Sequence, residues 1–87
     1  MSPTLNINQI IQTGILKSYW IDSNFIEVYW SHPSLEINNY YLFKFTTLKQ
    51  DFISVKQITA VQVPRRYKMK KMQPMVNDIM QELLNIT

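Results

Sequence analysis

The part of the chain best suited to chemistry is a run of cations after position 64. Five cations and one tyrosine fall within seven positions that contain no acid: Arg65, Arg66, Tyr67, Lys68, Lys70 and Lys71. Lysine and arginine side chains neutralise phosphates, and a tyrosine ring can stack on an unpaired base. We name positions 65–71 the basic segment and predict that it contacts an anionic partner, with nucleic acid as the first candidate.

The distribution of charge says more than the total. The chain has nine cations and six acids, which gives a net charge of +3. Outside the basic segment, four cations face six acids, so the remainder of the chain carries −2. The protein is therefore a slightly acidic body with one cationic segment.

Other interpretations of the basic segment stay open, beginning with a solvated loop that keeps the protein soluble. With Met69 and Met72 as adaptable apolar neighbours, the segment would also suit an acidic protein partner or an anionic lipid surface. The rival function is a protein–protein interaction module, such as a small subunit or an inhibitor that covers a surface on a larger protein. A further alternative is a small basic ribonuclease-like toxin, in which Arg65, Arg66, Tyr67 and Lys68 stabilise charge and position substrate.

The position of exposed aromatic side chains distinguishes the first two functions. Aromatics beside the basic segment, such as Tyr29 or Tyr40, would favour nucleic acid because they could stack on bases. An aromatic and aliphatic patch remote from the segment would favour a protein partner.

Residues for acid–base, nucleophilic or metal chemistry are sparse. His32 is the only histidine, and the chain has no cysteine and a single glycine. A general base or a metal site needs a second group at hand, and a phosphate-binding loop needs several glycines. We therefore predict a non-enzymatic protein with no catalytic residue, no metal site and no cofactor.

Length and composition indicate the number of domains and the cellular compartment. A chain of 87 residues predicts one domain over residues 1–87. The lack of cysteine favours a reducing compartment, and we expect the cytoplasm. No stretch approaches the ~20 apolar residues that a membrane span needs. The first five residues lack the charged and apolar regions of a signal peptide.

The residues after the basic segment predict an amphipathic helix over 74–86. Its apolar residues recur at helical spacing: Met75, Val76, Ile79, Met80, Leu83 and Leu84. Pro74 suits the first turn, where its missing N–H would have no partner. We expect this helix to cover a sheet. Whether 65–72 is a loop or an extension of the helix kinked at Pro74 stays open.

The residues before the basic segment predict a short helix and about four strands. Residues 4–12 fit a helix that Asn6 and Gln9 cap and that ends at a left-handed Gly14. Alternation or extended character predicts strands over 15–21, 25–31, 40–48 and 52–63, with a loop over 31–39 and a bend near Gln57 as one option. In the first strand, alternation puts Ile15, Lys17, Tyr19 and Ile21 on one face and Leu16, Ser18 and Trp20 on the other.

The predicted fold class is α+β. A short N-terminal helix, an antiparallel sheet of about four strands and a C-terminal amphipathic helix packed on the sheet form a single small domain. We expect aromatics on one sheet face and helices on the other, and the sheet edges would favour homo-oligomers. In order of elements alone, the chain is similar to RNA-binding small subunits of the signal recognition particle. It is also similar to single-strand-binding coactivator domains and to membrane-binding C-terminal domains of some kinases. No motif accompanies this likeness, so it implies no function.

Overall fold

A computed structural model describes residues 6–62 and 74–86 of the chain. In chain order, the elements are α1 (Ile7–Thr13), β1 (Ile15–Ile21), β2 (Phe25–Ser31), β3 (Asn39–Thr46), β4 (Phe52–Thr59), a 3-10 turn (Ala60–Gln62) and α2 (Pro74–Ile86). The four strands form one antiparallel sheet in the order β1-β2-β3-β4. The predicted fold class is confirmed. The assignment of residues 1–87 to one domain stays a prediction.

Helix α1 begins with the predicted capping box. The Asn6 side chain accepts a hydrogen bond from the Gln9 amide at 2.8 Å, and the Gln9 side chain accepts one from the Asn6 amide at 3.1 Å. The two bonds satisfy amides that have no partner within the first turn of a helix. The helix spans Ile7–Thr13, so it begins three residues later and ends one residue later than the expected range of 4–12.

Gly14 does not adopt the left-handed conformation that its place after α1 predicts. Its φ of −96° and ψ of −179° are extended and open to any residue. The position needs glycine for a different reason: a Cβ atom there would overlap the Ser31 carbonyl oxygen and the Trp30 indole. The same indole donates a hydrogen bond to the Ile10 carbonyl at 3.0 Å. Gly14 therefore allows the end of α1 to lie directly against β2.

One face of the sheet, here called the covered face, packs against both helices. Its buried residues come from β1, β2 and β3: Leu16, Ile26, Val28, Trp30, Tyr41, Phe43 and Phe45. From the helices, the same core takes Ile10, Ile11, Val76, Ile79, Met80 and Leu83. The apolar stripe of α2 is thus core, as predicted, and α1 and α2 contact each other above the sheet.

The opposite face, here called the second face, holds a smaller cluster. Tyr29, Leu42 and Ile58 are buried there, with Trp20 and Tyr40 partly buried beside them. The expected division into an aromatic face and a helix-covered face is wrong. Both faces carry aromatics, and those on the covered face include Trp30 and Phe43, which meet edge to face at 6.4 Å between ring centroids.

Both edge strands contain a bulge, and the one in β1 corrects the predicted side-chain alternation. The register of β1 shifts between Leu16 and Ser18, so Leu16 joins the covered face with Tyr19 and Ile21. In β4 the shift lies opposite Lys44 and Phe45, and it leaves Ile53 as the extra residue. A bulge reverses the parity of every residue beyond it, which simple alternation cannot show.

The last two strands end earlier than their patterns predict. Strand β3 ends at Thr46 rather than at position 48, and β4 ends at Thr59 before the 3-10 turn. The bend considered near Gln57 is absent because β4 pairs with β3 through that residue. Each edge strand exposes a lysine, Lys17 in β1 and Lys56 in β4, and charged side chains discourage pairing between edges. Homo-oligomer formation stays a prediction.

Asp22 fixes the turn between β1 and β2. Its carboxylate accepts hydrogen bonds from the amides of Asn24 and Phe25, each at 2.8 Å, and from the Trp20 indole at 3.2 Å. The neighbouring β3–β4 connection is attached to this turn, because the Thr47 hydroxyl donates to the Asp22 carbonyl at 2.7 Å. The backbone N–H of Phe25, followed by that of Asn24, holds the pKa of Asp22 below its ordinary value of 3.8.

The Asp22→Asn variant should be less stable than the parent by an amount that depends on pH. Because the folded pKa is lowered, the carboxylate stabilises the fold above its unfolded pKa, and this contribution is lost as pH falls through the folded pKa. Asparagine keeps an oxygen acceptor but does not titrate. The difference between the urea midpoints of the parent and the variant should therefore become smaller as pH falls from about 5 through the unfolded pKa and below it. A difference that stays constant over this range would contradict the assignment.

Candidate nucleic-acid interface

The basic segment lies outside the described residues. Positions 63–73, with Arg65, Arg66, Tyr67, Lys68, Lys70 and Lys71, therefore stay a sequence-based prediction, as does the choice between loop and helix there. The described chain stops at Gln62 on one side of this segment and resumes at Pro74 on the other. The described surface nearest to the basic segment in the chain is the end of the sheet beside Ala60.

Charge is unevenly divided between the two layers of the described fold. Helix α1 has no charged residue, and α2 has Asp78 and Glu82 but no cation. The described lysines all lie in the sheet or its turns: Lys17, Lys44, Lys49 and Lys56. Lys44 and Lys56 belong to the second face by their pairing with Glu27 and Leu42. Four described acids also lie in the sheet or its connections, so this layer has no net charge, whereas α2 carries two acids and no cation.

The second face offers fewer stacking groups than its composition indicates. Tyr29 is 2% exposed and is not accessible to a base without rearrangement, so its expected role as a stacking residue is wrong. Tyr40 remains partly exposed at one end of the face, opposite Ile58. At the other end, the Lys44 ammonium lies 4.2 Å above the centre of the Phe25 ring. Of the two sheet tyrosines predicted to stack, only Tyr40 is accessible, and Tyr67 lies outside the described residues.

A groove opens at the end of the sheet where Tyr40 lies, and we name it the loop-end groove. It has a volume of about 410 Å³ and is shared by the start of β1 and the β2–β3 loop. Its lining includes Ile15, Lys17, Ile37, Asn38, Asn39 and Tyr40. Sequence reasoning did not identify this site. The available signal was Ile37, an isolated apolar residue in a polar loop, which is 89% exposed.

His32 supports one wall of this groove. Its Nδ1 accepts a hydrogen bond from the Ser34 amide at 3.0 Å, which places the proton of the neutral ring on Nε2. Nε2 lies 2.7 Å from the Thr13 hydroxyl, which itself donates to the Gln9 carbonyl. The ring also meets Tyr41 edge to face at 6.0 Å. His32 thus joins the β2–β3 loop to α1, which is a structural role.

The groove adjoins the point where the chain departs toward the basic segment. The Ala60 amide, one residue beyond β4, donates to the Asn38 carbonyl at 2.7 Å. Consecutive residues span at most ~3.6 Å, so chain connectivity keeps Arg65 within about 18 Å of Ala60. The groove and the first cation of the basic segment are therefore within reach of one short ligand.

Metal and membrane sites find no support in the described residues. Within 6–62 and 74–86, no three side chains of histidine, aspartate or glutamate come together as a metal site. Neither described helix has the length and apolar character to cross a membrane. Comparison with known proteins adds nothing further: no family model, curated protein or solved structure matches this chain.

Proposed function

We propose that this protein is a small non-enzymatic binding module that contacts nucleic acid through its phosphates. The basic segment supplies most of the attraction, and Lys56 on the second face adds to it. The observation that carries the proposal is the division of charge. The five cations of the basic segment stand against a remainder of the chain that sums to −2, so a polyanion is attracted to that segment and not to α2, which carries Asp78 and Glu82 and no cation.

This function predicts a steep dependence of affinity on salt. Each phosphate contact contributes about −0.9 to the slope of log K against log[salt] on duplex DNA and about −0.7 on single strands. With three to five contacts, the slope should lie between roughly −2 and −4.5. Changing Arg65 and Arg66 together to glutamine should flatten it by about one to two units. Fluorescence anisotropy of a labelled strand, titrated at several salt concentrations, measures the slope directly.

The matched control is Lys49→Gln. Lys49 is exposed in the β3–β4 connection, and the length of β4 separates that end of the sheet from Ala60 by about 25 Å. Its loss should leave the slope almost unchanged. No measurable binding at about 50 mM salt with tens of micromolar protein would reject the function. Shortening of an RNA strand during the titration would favour the ribonuclease-like alternative.

A protein partner is the second candidate, because some exposed aliphatic residues gather near one end of the sheet. Ile15, Ile37 and Val61 are 67%, 89% and 92% exposed. Val61 follows Ala60, whose amide bonds to Asn38 next to Ile37, so these two residues share one end of the molecule. A docking module of this kind would bind nucleic acid weakly without saturation. It would instead form a complex with a protein, and the affinity of that complex would fall on apolar substitutions and depend only mildly on salt.

A further inference from the structure

We propose that the loop-end groove receives one unpaired base of a single-stranded nucleic acid. This inference rests on the proposed function and makes it specific, because it names the form of nucleic acid and the residues that contact a base. Phosphate contacts position a strand, whereas groups that stack on bases or bond their edges select unpaired regions.

The lining of the groove has the chemistry that a base requires. The partly exposed Tyr40 ring offers a stacking surface, and the side chains of Ile15 and Ile37 are apolar. The carboxamides of Asn38 and Asn39 can each donate and accept hydrogen bonds, which matches the polar edge of a base and suits adenine best.

The size and rigidity of the groove also fit this ligand. A volume of about 410 Å³ leaves ample room for a single base, and the groove is open to solvent so that a strand can pass across it. The loop is held by backbone bonds from Leu35 to His32 at 3.0 Å and from Asn39 to Glu36 at 3.1 Å. A wall that is already ordered loses little conformational entropy when a ligand binds.

The charged side chains that line the groove are one lysine and one glutamate, so the groove itself is electrostatically balanced. Lys17 lines the groove near its apolar wall and can pair with a phosphate beside the bound base. Glu36 also lines it, so the groove itself is not strongly cationic and the phosphates on either side must find cations elsewhere. The nearby Ala60 leads within five residues to Arg65, the first cation of the basic segment.

Single strands are favoured over duplexes because the stacking surface, the Tyr40 ring, lines a groove and can be reached only by a base that is free to leave its stack. A base in a duplex is stacked on both sides and has its pairing edge occupied, so it cannot enter without being turned out. Single strands present such bases at no pairing cost. We therefore expect tighter binding to a single strand than to a duplex of equal length.

The test compares two single strands with the same number of phosphates. One is a strand of about eight deoxyadenylates, and the other has the same backbone without bases. Loss of stacking should weaken binding of the base-free strand by about 5- to 140-fold. The Tyr40→Leu variant should bind the adenylate strand no more tightly than the parent protein binds the base-free strand. Tyr40→Phe should retain the difference.

Phe25→Leu is the matched control, because Phe25 lies on the same face but about 20 Å away along the strands. It should leave the preference for the adenylate strand unchanged. Should Tyr40→Leu fail to fold, as circular dichroism would show, ¹H–¹⁵N spectra of the parent give a second measurement. The adenylate strand should shift the side-chain amide signals of Asn38 and Asn39, and the base-free strand should not.

The outcomes separate this inference from the proposed function. Equal binding of the two strands to the parent, with a steep salt dependence, would overturn the groove assignment and leave the phosphate-binding function in place. Binding of neither strand would overturn both. Tighter binding to the duplex would also reject the groove assignment, since the bases would then be paired.

Discussion

Replacing Gly14 with alanine should destabilise the protein by about 3 kcal/mol or more, a large share of the stability expected for a small domain. The extended backbone at Gly14 would accept alanine without strain, and the substitution would then stabilise by ~0.4–1 kcal/mol through the unfolded state. Steric overlap in the folded state turns this expected stabilisation into a destabilisation. The added methyl group would meet the Ser31 carbonyl oxygen and the Trp30 indole, and neither can move cheaply.

Trp30 cannot give way because it holds two contacts. Its indole donates to the Ile10 carbonyl, and its ring packs edge to face on Phe43, which is fully buried. Urea unfolding followed by circular dichroism measures the effect. Gln12→Ala, at an exposed position of the same helix, is the control and should change stability little. A Gly14→Ala variant as stable as the parent would show that α1 does not lie against β2 as described.

Shortening either of two buried residues of α2 should cost about 2–5 kcal/mol. Ile79 and Leu83 are 3% and 6% exposed and lie in the core with the covered face of the sheet. Alanine at either position removes buried apolar surface and leaves a cavity in a layer that is only one helix thick there. Either variant should therefore unfold at a clearly lower urea concentration.

The exposed Gln81 of the same helix provides the control for this pair. Gln81→Ala removes no buried group and should leave the urea midpoint within experimental error, since alanine is a good helix former. If Ile79→Ala and Leu83→Ala also melt like the parent, α2 does not cover the sheet. Its apolar stripe would then be available as a docking surface for another protein.

The elements whose signals are local were predictable from the sequence. The capping box at Asn6, the turn at Asp22 and the position of Pro74 each depend on residues close in the chain. The cap residue of α1 and the first hairpin were predicted correctly, and α2 is described from Pro74 onward, whereas the state of 65–72 stays a prediction. The order of helix, four strands and helix followed from those local signals and from apolar periodicity.

Features that depend on distant residues were not predictable in the same way. The bulge next to Lys17 moved Leu16 to the covered face, and the need for Gly14 arises from Trp30, sixteen positions later. The loop-end groove brings Ile15 together with the β2–β3 loop, which only the strand pairing determines. Of the predicted stacking residues, Tyr40 is accessible and Tyr29 is buried. The basic segment itself stays a prediction.

The strand order β1-β2-β3-β4 has a consequence for synthesis on the ribosome. Each strand pairs with the one before it, so hairpins can form as soon as each strand emerges. The covered face, however, packs against α2, which is translated after all four strands. Until then, a growing chain displays Phe43, Phe45 and their neighbours to solvent. Apolar surface that is exposed in this way promotes aggregation, so stalling of translation ahead of Pro74 would prolong the period of risk.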